Sequence, residues 1–246
     1  ALVVDFSKHL REVVEFDKAR ASVTVQPGLV LDHLNAFLKP RGLWYPVDVS
    51  TSAQCTLGGM AGNNSCGSRS IRYGNMVHNV EAIDAILADG SEARFGTWHD
   101  DDSDPAVKRL ADIARSLATR ERDEIERLWP KVLRRVGGYN LDVFHPQSER
   151  PYTTDNSINL AHLLVGSEGT LAVTRRLTLK LSPLPQHKTL GVVNFPTFRR
   201  AMELTQHIVT LKPVAVELVD RTMIELARAN PAFRPVIDAA LIGEPQ

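Results

Sequence analysis

The stretch CTLGGMAGNNSCGSRSIRYG, residues 55–74, decides how the rest of the chain is read. Gly58, Gly59, Gly62 and Gly67 alternate with small and polar residues, which makes the segment poor core material and too rich in glycine for a good helix. Glycines at these positions admit positive φ angles and let the main chain approach a ligand closely. Successive N–H groups in tight glycine turns also form concave anion sites without a lysine or arginine. Asn63, Asn64 and Ser65 add short side chains that both donate and accept hydrogen bonds. The plainer reading is a long surface loop, because Gly and Asn are the usual turn residues, and a lone Gly-Gly pair favours it. Neither a P-loop nor a GxGxxG fingerprint is present, so the two commonest phosphate-binding explanations fail.

A second turn shifts the balance. VGSEGTLAV, residues 165–173, joins an apolar run (Leu160 to Val165, read as a strand) to TLAVTRRLTLKL. In the latter, Leu171, Val173, Leu177, Leu179 and Leu181 fall on one face of a strand, with Arg175 breaking the alternation. By itself this second stretch is a hairpin turn, and the plainer reading is again favoured; what is specific is the order of the motifs along the chain.

Around these turns the chain punctuates itself. Leu2 to Phe6 and Ala21 to Gln26 read as strands, the latter stopped by Pro27-Gly28. Leu29 to Leu38 has helical spacing and ends before Gly42, and Val80 to Phe95 reads as a hairpin about Asp89-Gly90. Asp104-Pro105 caps a helix carrying Val107, Leu110, Ala114 and Leu117, and a second helical run from Ile125 to Val136 should kink or restart at Pro130. This charged helical segment, 104–136, reads as a solvated layer. SPLPQ at 182–186 reads as a linker, followed by strand (190–195), helix (197–211), strand (214–218) and helix (221–229). The expectation is a domain over 1–185 and the truncated start of a second over 186–246.

Composition sets the outer bounds. The 246 residues carry 29 basic and 29 acidic side chains and are 43% hydrophobic, which is ordinary globular composition with no electrostatic case for nucleic acid. No apolar run approaches the ~18 residues of a membrane span. Cys55 and Cys66 lack CxxC spacing and read as free thiols of a reducing compartment. As two ligands without nearby histidines they make no metal site. The eight histidines are scattered without HxH or HxxxH spacing and read mostly as surface or capping residues. The chain opens on ALVVDF without Met and closes on LIGEPQ, and is read as a piece of a longer protein.

In the order PVD (46–48), TLGG (56–59), NNSCG (63–67), RYG (72–74), RVGGYNLD (135–142) and LVGSEGTL (164–171), these residues resemble the FAD-linked oxidases of the vanillyl-alcohol oxidase and para-cresol methylhydroxylase type. Within that family they are most similar to the D-lactate, glycolate and D-2-hydroxyglutarate dehydrogenases. The resemblance runs from residue 1 to about residue 225 and is weakest in the charged helices. It implies an α+β fold: the second part of a two-part FAD-binding domain, with a mixed or antiparallel sheet flanked by helices, then the start of an α/β cap domain.

By the same resemblance, Pro46, Gly58, Gly59, Asn63, Asn64, Ser65, Cys66, Gly67, Tyr73 and Gly74 surround the flavin and its pyrophosphate. Gly169 and Leu171 to Val173 line it from the other loop, with Glu168 holding the turn. Cys66 and Ala172 stand where the family commonly has glycine, and Arg72 is read as structural. For Cys66 a flavin thioether or redox thiol competes with a small packed hydrophobe, and the latter is preferred. The implied reaction is oxidation of a small-molecule D-2-hydroxy acid, with electrons passing from FAD to a further acceptor that stays open, as does the oligomeric state. No catalytic base and no metal ligand is assigned here. An iron–sulfur module in the remainder of the protein, a cytoplasmic location at or near the inner membrane, and weak or absent FAD binding by this piece alone complete the expectation. The alternatives are a non-catalytic ligand-binding module of the same fold and a flavin oxidase acting on sugars or lactones.

Overall fold

The computed structural model describes residues 3–99, 104–145 and 149–241. In chain order its elements are β1 (Val13–Asp17), β2 (Ser22–Val25), α1 (Leu31–Leu38), β3 (Leu43–Trp44), α2 (Leu57–Gly62), α3 (Ser70–Tyr73), β4 (Val80–Ile86), β5 (Glu92–Phe95), α4 (Pro105–Arg120), α5 (Arg122–Leu128), α6 (Ala161–Leu164), β6 (Val173–Lys180), β7 (Ser182–Pro183), α7 (Phe198–Thr210), α8 (Arg221–Ala229) and α9 (Arg234–Ala240). The chain divides into two compact units, one ending at Leu184 and one beginning at Pro185.

The first unit is built on a sheet ordered β1-β2-β6-β4-β5, in which every pairing is antiparallel. Val23, Val25, Ile83, Ala85, Leu177 and Leu179 turn to one face and are buried with Leu34 and Leu38 of α1 and Leu57 and Met60 of α2. Each of the larger side chains among them contributes about 1.5–3 kcal/mol on leaving water. The other face is polar: Thr24 meets Thr178 at 3.1 Å, and Asp84 pairs with Arg94 at 2.7 Å. The α+β architecture, an antiparallel sheet flanked by helices, is therefore what the motif order implied.

Several local expectations are corrected. Residues 57–62 do form a helix: the Thr56 side chain caps it by accepting from the Gly59 amide at 3.3 Å, and Leu57, Met60 and Ala61 are buried. Tertiary burial overrides the glycine penalty there. The apolar run 160–165 is a short helix, α6, and not a strand, since a run of that length carries no decisive period. In β6 the register jumps from Arg176 opposite Asp84 to Thr174 opposite Ala85, so Arg175 is a bulged residue. The bulge reverses the side-chain parity, and Val173 leaves the face that holds Leu177 and Leu179. Val3 to Phe6 pairs with no strand, and Leu2 lies outside the described residues. The second charged helix ends at Leu128, with Trp129 and Pro130 beyond it, and does not restart through Val136.

The second unit holds α7, capped by Thr197, then α8, capped by Asp220, then α9. The expected strands 190–195 and 214–218 do not form, since a strand needs a ladder partner and none pairs with them among the described residues. Helix α9 was not anticipated.

Candidate functional site

Helix α2 ends in the turn Asn63–Ser65, and α6 leads directly into the turn Gly166–Thr170. The two turns are tied by main chain. The Gly166 amide donates to the Ala61 carbonyl at 2.8 Å, and the Glu168 amide donates to the Gly62 carbonyl at 2.9 Å. Asn64 and Glu168 each hold a left-handed backbone, φ 52° and 54°, that non-glycine residues seldom adopt. The result is an accessible strip: half-buried Gly62, Ser65 and Cys66 on one side, exposed Gly169 and Leu171 on the other, with exposed Asn63 at the edge.

The expected positive φ at Gly58, Gly59, Gly62 and Gly67 is not found: none of them is in the left-handed region. Two are glycine because protein crowds them. A Cβ on Gly67 would sit 2.0 Å from the Asp48 carbonyl oxygen, and one on Gly58 would sit 2.5 Å from Pro27 Cβ. Gly59 and Gly62 are different. A Cβ on Gly59 would meet only Thr56 Oγ1, at 3.2 Å, and one on Gly62 would have Glu168 Cα at 3.9 Å as its nearest neighbour.

Asp48, the acid of the PVD motif, explains the crowding. Its carboxylate accepts from the Arg69 amide at 3.2 Å and from Ser68 Oγ at 3.1 Å, clasping residues 67–69 onto the end of the buried segment 43–47. Pro46 lies within that buried segment. Tyr73 packs edge-on against Trp44, and Gly74 is left-handed with the His78 ring 2.8 Å from where a Cβ would stand. Asn64 is fully buried and turns inward, its Oδ1 accepting from the Val77 amide at 3.0 Å. Pro46, Gly58, Asn64, Gly67, Tyr73 and Gly74 are thus framework residues, whereas Asn63, Ser65, Cys66, Glu168, Gly169 and Leu171 line the accessible strip. Ser65 Oγ donates to Asn63 Oδ1 at 2.6 Å, which leaves the Asn63 amide NH2 turned outward from that bond.

Sequence reasoning missed a buried polar cluster behind the strip. Arg135 Nη2 contacts both carboxylate oxygens of Asp142 at 2.8 Å, and the Tyr152 hydroxyl lies 3.0 Å from Asn140 Oδ1. RVGGYNLD supplied the signal in part, but nothing in the spacing pointed to Tyr152. His162 is buried, unlike a surface residue, while His78 is half-buried and caps the turn after Asn75, and the two flank the Tyr152 ring at 5.4 and 5.9 Å, respectively, between centroids. Burial first, with the charge of Arg150 adding to it, pushes the His78 imidazole down to about 4. Burial first, then the neighbouring His78, pushes His162 down to about 3. His78 Nδ1 accepts from the Asn75 amide at 3.1 Å, so its ring proton is on Nε2. A polar cavity of about 710 Å³ opens beside these histidines on the polar side of the sheet, and its lining includes none of the residues of the strip. Among the described residues no cluster of three metal-ligating side chains occurs, and no helix is long and apolar enough to cross a membrane.

Residues 1–96 match the family model described as FAD binding domain, and residues 184–244 match the one described as FAD linked oxidases, C-terminal domain. Both ends of the chain are thus similar to FAD-linked domains, the second of them that of the FAD linked oxidases. A D-2-hydroxyglutarate dehydrogenase of Haemophilus influenzae is 30% identical over 93% of this chain and 23% of its own length. The Escherichia coli protein of the same name is 28% identical over 96% and 23%, respectively. D-lactate dehydrogenase [cytochrome] 1, mitochondrial, of Saccharomyces cerevisiae is 28% identical over 93% of this chain and 30% of its own length. The chain spans about a quarter of the length of the first of these curated relatives. Among solved structures, an alkyldihydroxyacetonephosphate synthase aligns with a TM-score of 0.57 over 90% of this chain and 31% of its own, at 18% identity, which speaks for the fold.

Proposed function

We propose that the unit ending at Leu184 forms one wall of an FAD site, and that the unit from Pro185 begins a substrate domain, in a longer protein that oxidises a D-2-hydroxy acid. The observation that carries this reading is the main-chain clasp of the two turns, which leaves accessible small residues where added side-chain atoms would meet no protein. Gly62, unlike Gly58 and Gly67, is explained neither by crowding nor by a left-handed backbone. The names of the relatives in Haemophilus influenzae, Escherichia coli and yeast support the substrate class.

The residues present fit such a group from one side. Gly59, Gly62 and Gly169 allow close main-chain approach, Asn63 and Ser65 offer polar contacts, and Cys66 and Leu171 supply apolar cover that keeps water from the ring. When bound, FAD supplies a hydride acceptor and a route for electrons to a further acceptor. Pro46, Gly58, Asn64, Gly67, Tyr73 and Gly74 act through the backbone they hold, and Val173 through the start of β6. We nominate no base for the substrate hydroxyl from the strip, and assign that role to the greater part of the relatives' length that this chain does not span. An iron–sulfur module, and a cytoplasmic location with contact to the inner membrane, are further parts of this proposal, to be checked by iron content and by fractionation of the full-length protein.

The test is an equilibrium titration with FAD of the full-length protein and of residues 1–246. We expect micromolar or tighter binding by the former and weak or undetectable binding by the latter, because one wall leaves the phosphate charges poorly matched. A folded full-length protein that takes up no FAD would put a non-catalytic module of the same fold in its place.

A further inference from the structure

The segment between α5 and the turn Leu141–Phe144 has no helix or strand of its own, yet it touches both turns of the strip. Toward the first turn, Arg134 donates to the Gly67 carbonyl at 3.1 Å. The Arg135 carbonyl accepts longer contacts from Asn64 Nδ2 at 3.4 Å and Asn75 Nδ2 at 3.5 Å. Toward the second, Asn140 Nδ2 donates to the carbonyls of His162 at 2.9 Å and Val165 at 2.8 Å, the latter immediately before Gly166. At Gly166, φ 84°, the paths converge: a Cβ there would lie 3.0 Å from the Gly138 carbonyl oxygen and 3.5 Å from Asn64 Cβ.

What fixes this strap is the cluster behind it. The side chains of Arg135 and Asp142 are 12% and 3% exposed. The Tyr152 hydroxyl faces Asn140 Oδ1 at 3.0 Å and the Asp142 carboxylate at 3.1 and 3.2 Å. The two carbonyls fix the Asn140 amide with Oδ1 toward Tyr152, and the single hydroxyl proton, shared between that oxygen and the Asp142 carboxylate, ties the two residues together. A buried ion pair is weak evidence for stability in itself, since desolvation offsets most of its attraction. Its position is more telling. The pair holds one end of a strap whose other contacts end on the two turns.

We propose that Tyr152, acting through Asn140 and the Arg135–Asp142 pair, is a positioning residue that sets the Gly166–Thr170 turn against the Asn63–Ser65 turn and so fixes the spacing of the flavin-facing strip. This rests on the FAD reading above. Tyr152 touches neither turn of the strip directly. Its ring packs between His78 and His162, and Tyr152→Phe keeps that packing while removing only the hydroxyl.

The experiment uses the full-length protein and FAD. Tyr152→Phe should raise the FAD dissociation constant about tenfold and alter the visible circular dichroism of the bound flavin. Thr24→Val serves as control. It removes a comparable hydroxyl contact, to Thr178 on the polar side of the sheet, and should change neither reading. Arg134→Gln, at an exposed position, should weaken FAD by a smaller factor, about threefold, in a protein that folds normally even if Tyr152→Phe does not. Wild-type affinity and an unchanged flavin signal in a folded Tyr152→Phe protein would overturn the proposal, as would an equal loss in Thr24→Val. If Tyr152→Phe does not fold, an unchanged Arg134→Gln overturns it. Wild-type protein that binds no FAD would overturn the reading of the site itself, and this role with it.

Discussion

The Glu168 amide donates to the Gly62 carbonyl at 2.9 Å, so two turns far apart in the sequence share one backbone structure. That single bond, with its neighbour from Gly166 to Ala61, converts two unremarkable loops into a surface. It also leaves Gly62 open on a side where Gly58 and Gly67 are crowded by protein.

Gly67→Ala and Gly62→Ala should therefore differ sharply. The first places a methyl 2.0 Å from the Asp48 carbonyl oxygen and should cost roughly 3 kcal/mol, or about 10 °C in melting temperature. The second meets nothing closer than 3.9 Å and should melt within about 2 °C of wild type while losing about tenfold or more in FAD affinity. Calorimetry paired with FAD titration of the full-length protein checks both. Equal losses of stability would contradict the division.

Asp48→Ala removes the acceptor for the Arg69 amide and Ser68 Oγ. The expected cost is about 1–2 kcal/mol, with residues 67–69 losing amide-exchange protection ahead of the sheet. Uniform loss of protection across the first unit would show that the clasp is not local.

Acid should destabilise the fold through His78 and His162. Both native values lie below the ordinary one, at about 4 and about 3. The unfolded chain thus binds protons that the native chain refuses. Stability is fully present above pH ~6.5 and falls as pH drops toward those native values. Denaturation midpoints between pH 7.5 and 5 should decline with up to two protons taken up on unfolding, and His162→Gln should remove about one of them. An unchanged slope in that variant would contradict the burial assigned to His162.

The second unit buries Ala201 and Ile224 but leaves Met202, Met223, Leu226, Phe233 and Val236 more than half exposed. Residues 1–246 alone should therefore bind an apolar dye strongly and associate at micromolar concentration, and the full-length protein should not. Equal dye binding by both would show that this surface stays open.

Much of this was legible in the sequence. Helices α1, α4, α7 and α8 announce themselves by spacing, and α4 also by its cap Asp104. The hairpin about Asp89-Gly90 and the two small-residue turns were equally plain. Helix α2 was not, because glycine content speaks of intrinsic propensity and says nothing of the burial that Leu57 and Met60 gain. Val173 was given the wrong face because one bulged residue, Arg175, reverses every side chain before it. The strap through Arg135 and Asn140 escaped notice for another reason: its hydrogen bonds join polar residues with no period, and only the folded chain brings them together.

The most direct test of the central claim is the visible spectrum of the full-length protein reconstituted with FAD. It is recorded anaerobically before and after adding D-lactate, glycolate or D-2-hydroxyglutarate. The account predicts a bound flavin band that bleaches with at least one of the three. A bound flavin indifferent to all of them would contradict the assigned substrate class, and a folded protein with no flavin band would contradict the site.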